Sequence, residues 1–199
     1  ILLGLGGSAT NDGGLGMLCA LGLVFRDESG VPVRTDASGL ADIKSVDTSG
    51  IHPGLSDCSF TVCCDVKNKL LGSQGASAVY GPQKGASPQD VIFLDDALRN
   101  FRDVLLAATG KDIGGFEGSG AAGGLAAGLS AFACVSIMSG IELLLEKLDF
   151  ASVIKGASLV VTGEGRIDPQ TAEGKVPVGI AAAVRKACGD DVPVIALVG

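Results

Sequence analysis

"SLVVTGEGRIDPQTAEGKVPVGIAAAVRKACGDDVPVIALVG", residues 158–199, decides the fold class. Two short apolar runs, "SLVV" and "VPVIALV", flank "PVGIAAAVRKAC", which reads as a helix. Strand, helix and strand in that order make a βαβ unit, because parallel strands need a crossover long enough to bring the chain back. The sequence therefore reads as α/β, with a largely parallel sheet and flanking helices. Ligands in such folds sit beyond the carboxyl ends of the strands. Glu164, Arg166 and Asp168 occupy that position, and Lys175 stands before the helix. Carboxylates there suit a hard cation such as Mg²⁺, which bridges phosphate oxygens. Arg166 and Lys175 can offset charge on a transferring phosphoryl group. The competing reading is a plain surface loop with an Arg–carboxylate pair and a turn at Asp168-Pro169.

The other end of the chain, "ILLGLGGSATNDGG" (1–14), starts as an apolar strand over about residues 1–5 and runs into a loop of Gly, Ser, Thr, Asn and Asp. A short helix follows in "GGLGMLCALG" (13–22). Gly4-Leu5-Gly6-Gly7-Ser8-Ala9 fits the loose G-x-G-x-x-A form of a dinucleotide fingerprint, so a nicotinamide-cofactor domain is one reading. Against it, Asn11-Asp12-Gly13-Gly14 interrupts the helix that should begin there, and Asp27 falls in an expected hairpin. The other reading is a loop whose amides and hydroxyls, at Gly6, Gly7, Ser8 and Thr10, hold an anion while Asn11 and Asp12 reach a substrate or metal. Helix capping accounts for one such polar residue but not for the cluster.

Between these ends, "LVFRDESGVPVR" (23–34) reads as a β-hairpin, with a further strand at "ADIKSV" (41–46). "CSFTVCCDV" (58–66) reads as a buried strand ending on Asp65, a third carboxylate for a metal. Residues 67–87 read as a loop. Pro88 to Thr109 is an amphipathic helix, with Val91, Leu94, Leu98, Phe101, Leu105 and Ala108 at helical spacing and Ser87 as N-cap. A Gly/Ala helix is expected from about 119 to 133, where Gly118, Ser119 and Gly120 offer amides to a phosphate or carboxylate. The same glycines also suit close helix packing. "GIELLLEKL" (140–148) and "FASVIKGA" (150–157) read as short helices, and lobe boundaries are expected near 20–30 and 150–160.

Composition sets the limits. With 47% apolar and 19% charged residues, the 199-residue chain can bury a substantial core. A net charge of −7 and the lack of a basic stripe argue against nucleic acid. The six cysteines show no C-x-x-C spacing, and His52 alone cannot complete a zinc set, so they read as reduced thiols of a cytoplasmic protein. "GSGAAGGLAAGLSAFACVSIMSGI" (118–141) is uncharged, but it is dominated by Gly, Ala and Ser and lacks flanking cations. It reads as a buried helix rather than a membrane span. No Walker A motif occurs.

Taken in order along the chain, "GLGGSATNDGG" (4–14), "YGPQKGAS" (80–87), "GSGAAGGLAAGL" (118–129) and "VTGEGRIDPQT..GK.PVG" (161–179) resemble the bacterial glycerate kinases of the type I, or glycerate 2-kinase, family. The resemblance implies a two-lobed α/β architecture with its active site in a cleft. It also implies phosphorylation of D-glycerate by ATP with Mg²⁺, giving 2- or 3-phosphoglycerate. In that scheme Ser8, Thr10 and Asn11 orient glycerate or phosphate, and Asp12 takes the hydroxyl proton. Glu164 and Asp168 hold Mg²⁺, with Asp65 able to replace either, while Arg166 and Lys175 stabilise the transferring group. The partners expected are these small molecules and, at most, a second copy of the chain in a homodimer. Members of the family are nearly twice this long and carry D-S-F-K-G-type and D-G-G-E-G-T-type motifs that this sequence lacks. The chain thus reads as an internal piece, either catalytic or a non-catalytic fragment.

Overall fold

A computed structural model describes residues 1–165 and 176–199, so Arg166, Asp168 and Lys175 lie outside the described residues. The chain divides into two compact units, Ile1–Ile137 and Met138–Gly199.

In the first unit, β1 (Leu2–Gly4) pairs in parallel with β4 (Ser59–Cys63), and β5 (Cys134–Met138) lies on the other side of β4. The sheet order β1-β4-β5 puts the loop after β1 and the residues after β4 at the same carboxyl edge. Between them the chain forms helix α1 (Leu15–Ala20) and an antiparallel pair, β2 (Val24–Arg26) with β3 (Ser45–Asp47). The hairpin expected at 23–34 is only half realised. Its turn closes through Asp27 N–H to Val31 O at 2.9 Å, and Val33 N–H reaches Phe25 O at 3.0 Å. Pro32 has no N–H for a ladder, so β2 takes its regular partner from the "ADIKSV" segment instead.

Helix α3 (Pro88–Thr109) organises the core. Ser87 caps it: its Oγ accepts from Asp90 N–H while its own N–H donates to the Asp90 carboxylate at 2.8 Å. Leu98, Phe101 and Leu105 are fully buried with Leu15, Leu18, Phe25 and Leu40. Each such side chain contributes about 1.5–3 kcal/mol by leaving water. The Phe25 and Phe101 rings meet at 5.8 Å, tilted by 45°. Ala108, expected on this face, is exposed, because α3 outruns the core at its carboxyl end.

Three further expectations change. β4 is less buried than its apolar run suggests, with Val62 alone fully covered. Residues 67–87 contain helix α2 (Ala76–Tyr80) and a 3₁₀ turn, Pro82–Lys84. The Gly/Ala helix is far shorter than 119–133. A 3₁₀ turn at Ala121–Gly124, with left-handed Ala122, Gly123 and Gly124, precedes helix α4 (Leu125–Ser130). Packing is the reason: a Cβ on Gly123 would lie 2.3 Å from Thr10 O, and one on Gly128 2.1 Å from Gly13 O. This glycine segment lets backbone lie on backbone, and Gly13 N–H donates to Gly123 O at 2.9 Å.

In the second unit, α5 (Gly140–Lys147) and α6 (Phe150–Val153) precede β6 (Val160–Glu164). β6 pairs in parallel with β7 (Val194–Val198), from Val160↔Val194 to Glu164↔Val198. Helix α7 (Val176–Cys188) lies between them in sequence and packs on β6, which realises the βαβ unit read from residues 158–199. No described helix is long and apolar enough to cross a membrane.

Candidate functional site

The first glycine loop leaves β1 at its carboxyl end, and Leu5 N–H extends the pairing to Cys63 O at 3.2 Å. Beyond that point, among the described residues, the amides of Gly6, Gly7, Ser8 and Ala9 donate to no protein acceptor. Helix α1 begins only at Leu15, and the next strand pairs antiparallel with β3. The dinucleotide reading therefore fails, since its fingerprint needs the helix to start within the glycine turn.

The far side of this loop is held by the segment that the sequence reads as unstructured. Asn11, only 7% exposed, donates through Nδ2 to Ser77 Oγ of α2 at 2.9 Å. Its Oδ1 is buried with no hydrogen-bond partner among the described residues. Lys84, at the end of the 3₁₀ turn, donates through Nζ to Ser8 Oγ at 3.0 Å and to Thr10 O at 2.6 Å. Burial pushes the Lys84 ammonium below the usual lysine range, and the nearby negative charge of Asp12 opposes that fall. Asp12 accepts from Gly14 N–H through Oδ1 at 3.0 Å, which fixes the carboxylate over the start of α1. Ala9, Asn11, Ser38, Lys84, Asp90 and Phe93 are among the residues lining a cleft of about 340 Å³.

Of the loop residues singled out in the sequence, Asn11 lines this cleft, Ser8 and Thr10 are tied to its wall through Lys84, and Gly6, Gly7 and Asp12 are not among its lining residues. Lys84 and Ser77 join them although sequence reasoning did not single them out. The available signal was the lysine inside "YGPQKGAS", a cation set between Pro82 and Gly85.

The second glycine loop is built differently. Gly118 N–H donates to Lys67 O, Ser119 N–H to Phe116 O, Gly120 N–H to Asn68 O and Ala121 N–H to Gly118 O. Ser119 is fully buried, accepting from Leu70 N–H and donating to Gly114 O. These amides are spent within the protein and are not open to an anion. The loop supports the first one from behind.

Asp65 follows β4 on the same carboxyl edge as the first loop and is exposed. Glu164, in the second unit, ends β6, and its Oε2 is buried without a hydrogen-bond partner among the described residues. Among the described residues no group of three or more His, Cys, Asp or Glu is placed to hold a metal.

A parallel strand running into an amide-rich loop, faced by a lysine and a buried amide, defines an α/β protein with a candidate site for a small polar ligand. The sequence model of the glycerate kinase family matches residues 1–199, and the chain belongs to that family. It is 44% identical over 199 residues to a glycerate kinase of Halalkalibacterium halodurans, covering 100% of this chain and 52% of that protein. It is 44% identical over 186 residues to the glycerate 2-kinase of Escherichia coli K12, covering 94% of this chain and 49% of that one. A solved structure titled "Crystal structure of putative glycerate kinase 2 from Salmonella typhimurium LT2" superposes with a TM-score of 0.86 at 41% identity. That match covers 100% of this chain and 56% of the other. The chain spans about half the length of the curated relatives it matches.

Proposed function

We propose that this chain carries part of the active site of a kinase that transfers the γ-phosphoryl group of ATP to D-glycerate, forming 2-phosphoglycerate. The observation that carries the reading is the first glycine loop of a member of the glycerate kinase family: its amides at Gly6 and Gly7 are unbonded among the described residues, its Asn11 shares a cleft with Lys84, and Lys84 holds Ser8 and Thr10. The choice of the 2-hydroxyl follows the name of the Escherichia coli relative, a glycerate 2-kinase.

In this reading the glycerate hydroxyl oxygen attacks the γ-phosphorus, the bond to the ADP oxygen breaks, and ADP leaves. Asp12 takes the hydroxyl proton, with its Oδ1 steadied by Gly14 N–H. Ser8, Thr10 and Asn11 orient the acceptor. The amides of Gly6 and Gly7 meet phosphate oxygens. Positioning and charge neutralisation dominate phosphoryl transfer, so little covalent chemistry is asked of the protein.

Glu164 fits a divalent cation, since its buried, unpartnered Oε2 is an oxygen donor of the kind Mg²⁺ takes. Asp168 is its proposed companion, with Asp65 as a substitute, and Arg166 and Lys175 are the proposed stabilisers of the transferring group. When bound, the metal supplies charge neutralisation between phosphate oxygens.

The test is ³¹P NMR of this chain with Mg-ATP and D-glycerate, beside a version extended to the length of its relatives. A 2-phosphoglycerate resonance from the extended version, lost in Asp12→Asn, is expected. No phosphoglycerate from either chain overturns the reading.

A further inference from the structure

We infer that the cleft beside the first glycine loop seats the hydroxy acid itself, with Lys84 taking its carboxylate and Asn11 Oδ1 accepting from the neighbouring hydroxyl. This rests on the reading that the chain handles glycerate, and it assigns the residues that recognise it.

Three observations converge. First, Asn11 is 7% exposed, and one end of its amide is fixed by Ser77 Oγ while the other, Oδ1, has no partner. A buried acceptor left unmade is costly, so a residue kept in that state at a cleft calls for a donor from outside. An ionised carboxylate cannot serve, because its oxygens are acceptors only. A hydroxyl can.

Second, Lys84 spends two of its three N–H donors on Ser8 Oγ and Thr10 O, both uncharged. Among the described residues it forms no ion pair within 4.0 Å, although the field of Asp12 reaches it. Its ammonium is partly desolvated without a paired anion. A ligand carboxylate on the third N–H supplies one.

Third, the two features are neighbours by construction. Lys84 holds the carbonyl of Thr10, the residue that precedes Asn11, and both Asn11 and Lys84 are among the residues lining the same cleft. An anion and a hydroxyl donor are therefore wanted side by side, which is the pattern of a 2-hydroxy acid. Inorganic phosphate keeps a P–OH near neutral pH and is the competing ligand that the test separates from a hydroxy acid.

The seat lies wholly within Ile1–Ile137, so calorimetric titration of the 199-residue chain without nucleotide tests it. The probes are D-glycerate, 3-hydroxypropionate, glycerol and inorganic phosphate. D-glycerate is expected to bind about tenfold tighter than 3-hydroxypropionate, which lacks only the 2-hydroxyl, the worth of one neutral hydrogen bond, and about 10–100-fold tighter than glycerol, which lacks the anion. Lys84→Gln should weaken D-glycerate about 10–100-fold and leave glycerol unchanged, and Lys84→Arg should recover part of the loss. Asn11→Ala should bring D-glycerate to the affinity of 3-hydroxypropionate without altering 3-hydroxypropionate itself. If Asn11→Ala does not fold, the Lys84 variants and the 3-hydroxypropionate comparison still decide.

Equal binding of D-glycerate and 3-hydroxypropionate by the parent chain would overturn the inference, as would loss of phosphate but not of D-glycerate in Lys84→Gln, or no binding at all. The kinase reading fails separately. Phosphoglycerate formation in the extended chain, with Lys84→Gln raising KM for ATP and not for D-glycerate, sinks the seat and keeps the kinase. D-glycerate binding with the expected variant responses but no phosphoglycerate keeps the seat and sinks the kinase.

Discussion

Gly128→Ala sets two effects of opposite sign against each other. Gly128 lies inside α4, and Gly to Ala in a helix interior is worth about 1 kcal/mol of stabilisation from propensity. The new Cβ, however, would stand 2.1 Å from the carbonyl oxygen of Gly13. Ordinary contact needs roughly 1 Å more, and the neighbour is backbone rather than a side chain that can rotate away. Gly13 is also tied to this segment through its N–H to Gly123 O, so α4 and the first loop must separate together. Overpacking of this kind costs about 1–3 kcal/mol, and a backbone neighbour puts the cost at the upper end. The net expectation is destabilisation by about 1–2 kcal/mol, or a fall of roughly 0.5–1 M in urea midpoint. The chain has one Tyr and no Trp, and Tyr80 lies in the first unit, so tyrosine fluorescence reports that unit alone. Gly16→Ala is the matched control: it is also helical, but its Cβ would meet nothing closer than Thr35 O at 3.4 Å. It should gain about 0.5 kcal/mol. Gly128→Ala at or above the parent midpoint would refute the argument that this glycine serves backbone contact.

Two further outcomes are expected. Ser87→Ala removes the Oγ that accepts from Asp90 N–H and should cost about 1 kcal/mol in the same urea titration. The Asp112 carboxyl is held at about 2, chiefly by its two hydrogen bonds from Arg102, both 2.7 Å. A carboxyl whose folded pKa is depressed stabilises above its unfolded value, about 3.9, and loses that contribution as pH falls toward 2. Because the Asp112 side chain is 45% exposed, solvent screening limits the contribution to about 0.5–1 kcal/mol. Arg102→Met should show this deficit at pH 7, with the gap from the parent closing between about pH 4 and pH 2.

Periodicity and punctuation carried much of the fold. The βαβ order of residues 158–199 and the bounds of α3, from the Ser87 cap to the glycine at 110, are local signals that sequence displays directly. The first glycine loop stands out as a candidate ligand loop for the same reason: Ser8, Thr10, Asn11 and Asp12 lie close together in the chain.

Tertiary structure decided the rest. Whether a glycine-rich stretch offers its amides or spends them depends on what packs against it. The amides around Gly118–Gly120 are bonded to Lys67, Asn68 and neighbouring carbonyls, whereas those at Gly6 and Gly7 are open. The Gly/Ala segment broke into a 3₁₀ turn and a short helix because it lies against Thr10 and Gly13, contacts separated by more than a hundred residues. Lys84 and Ser77 reach the site across 76 and 66 residues of sequence separation from Ser8 and Asn11. Sequence alone fixes which side chains a local segment carries. Which distant donor faces which acceptor is set only when the folded chain closes those long loops.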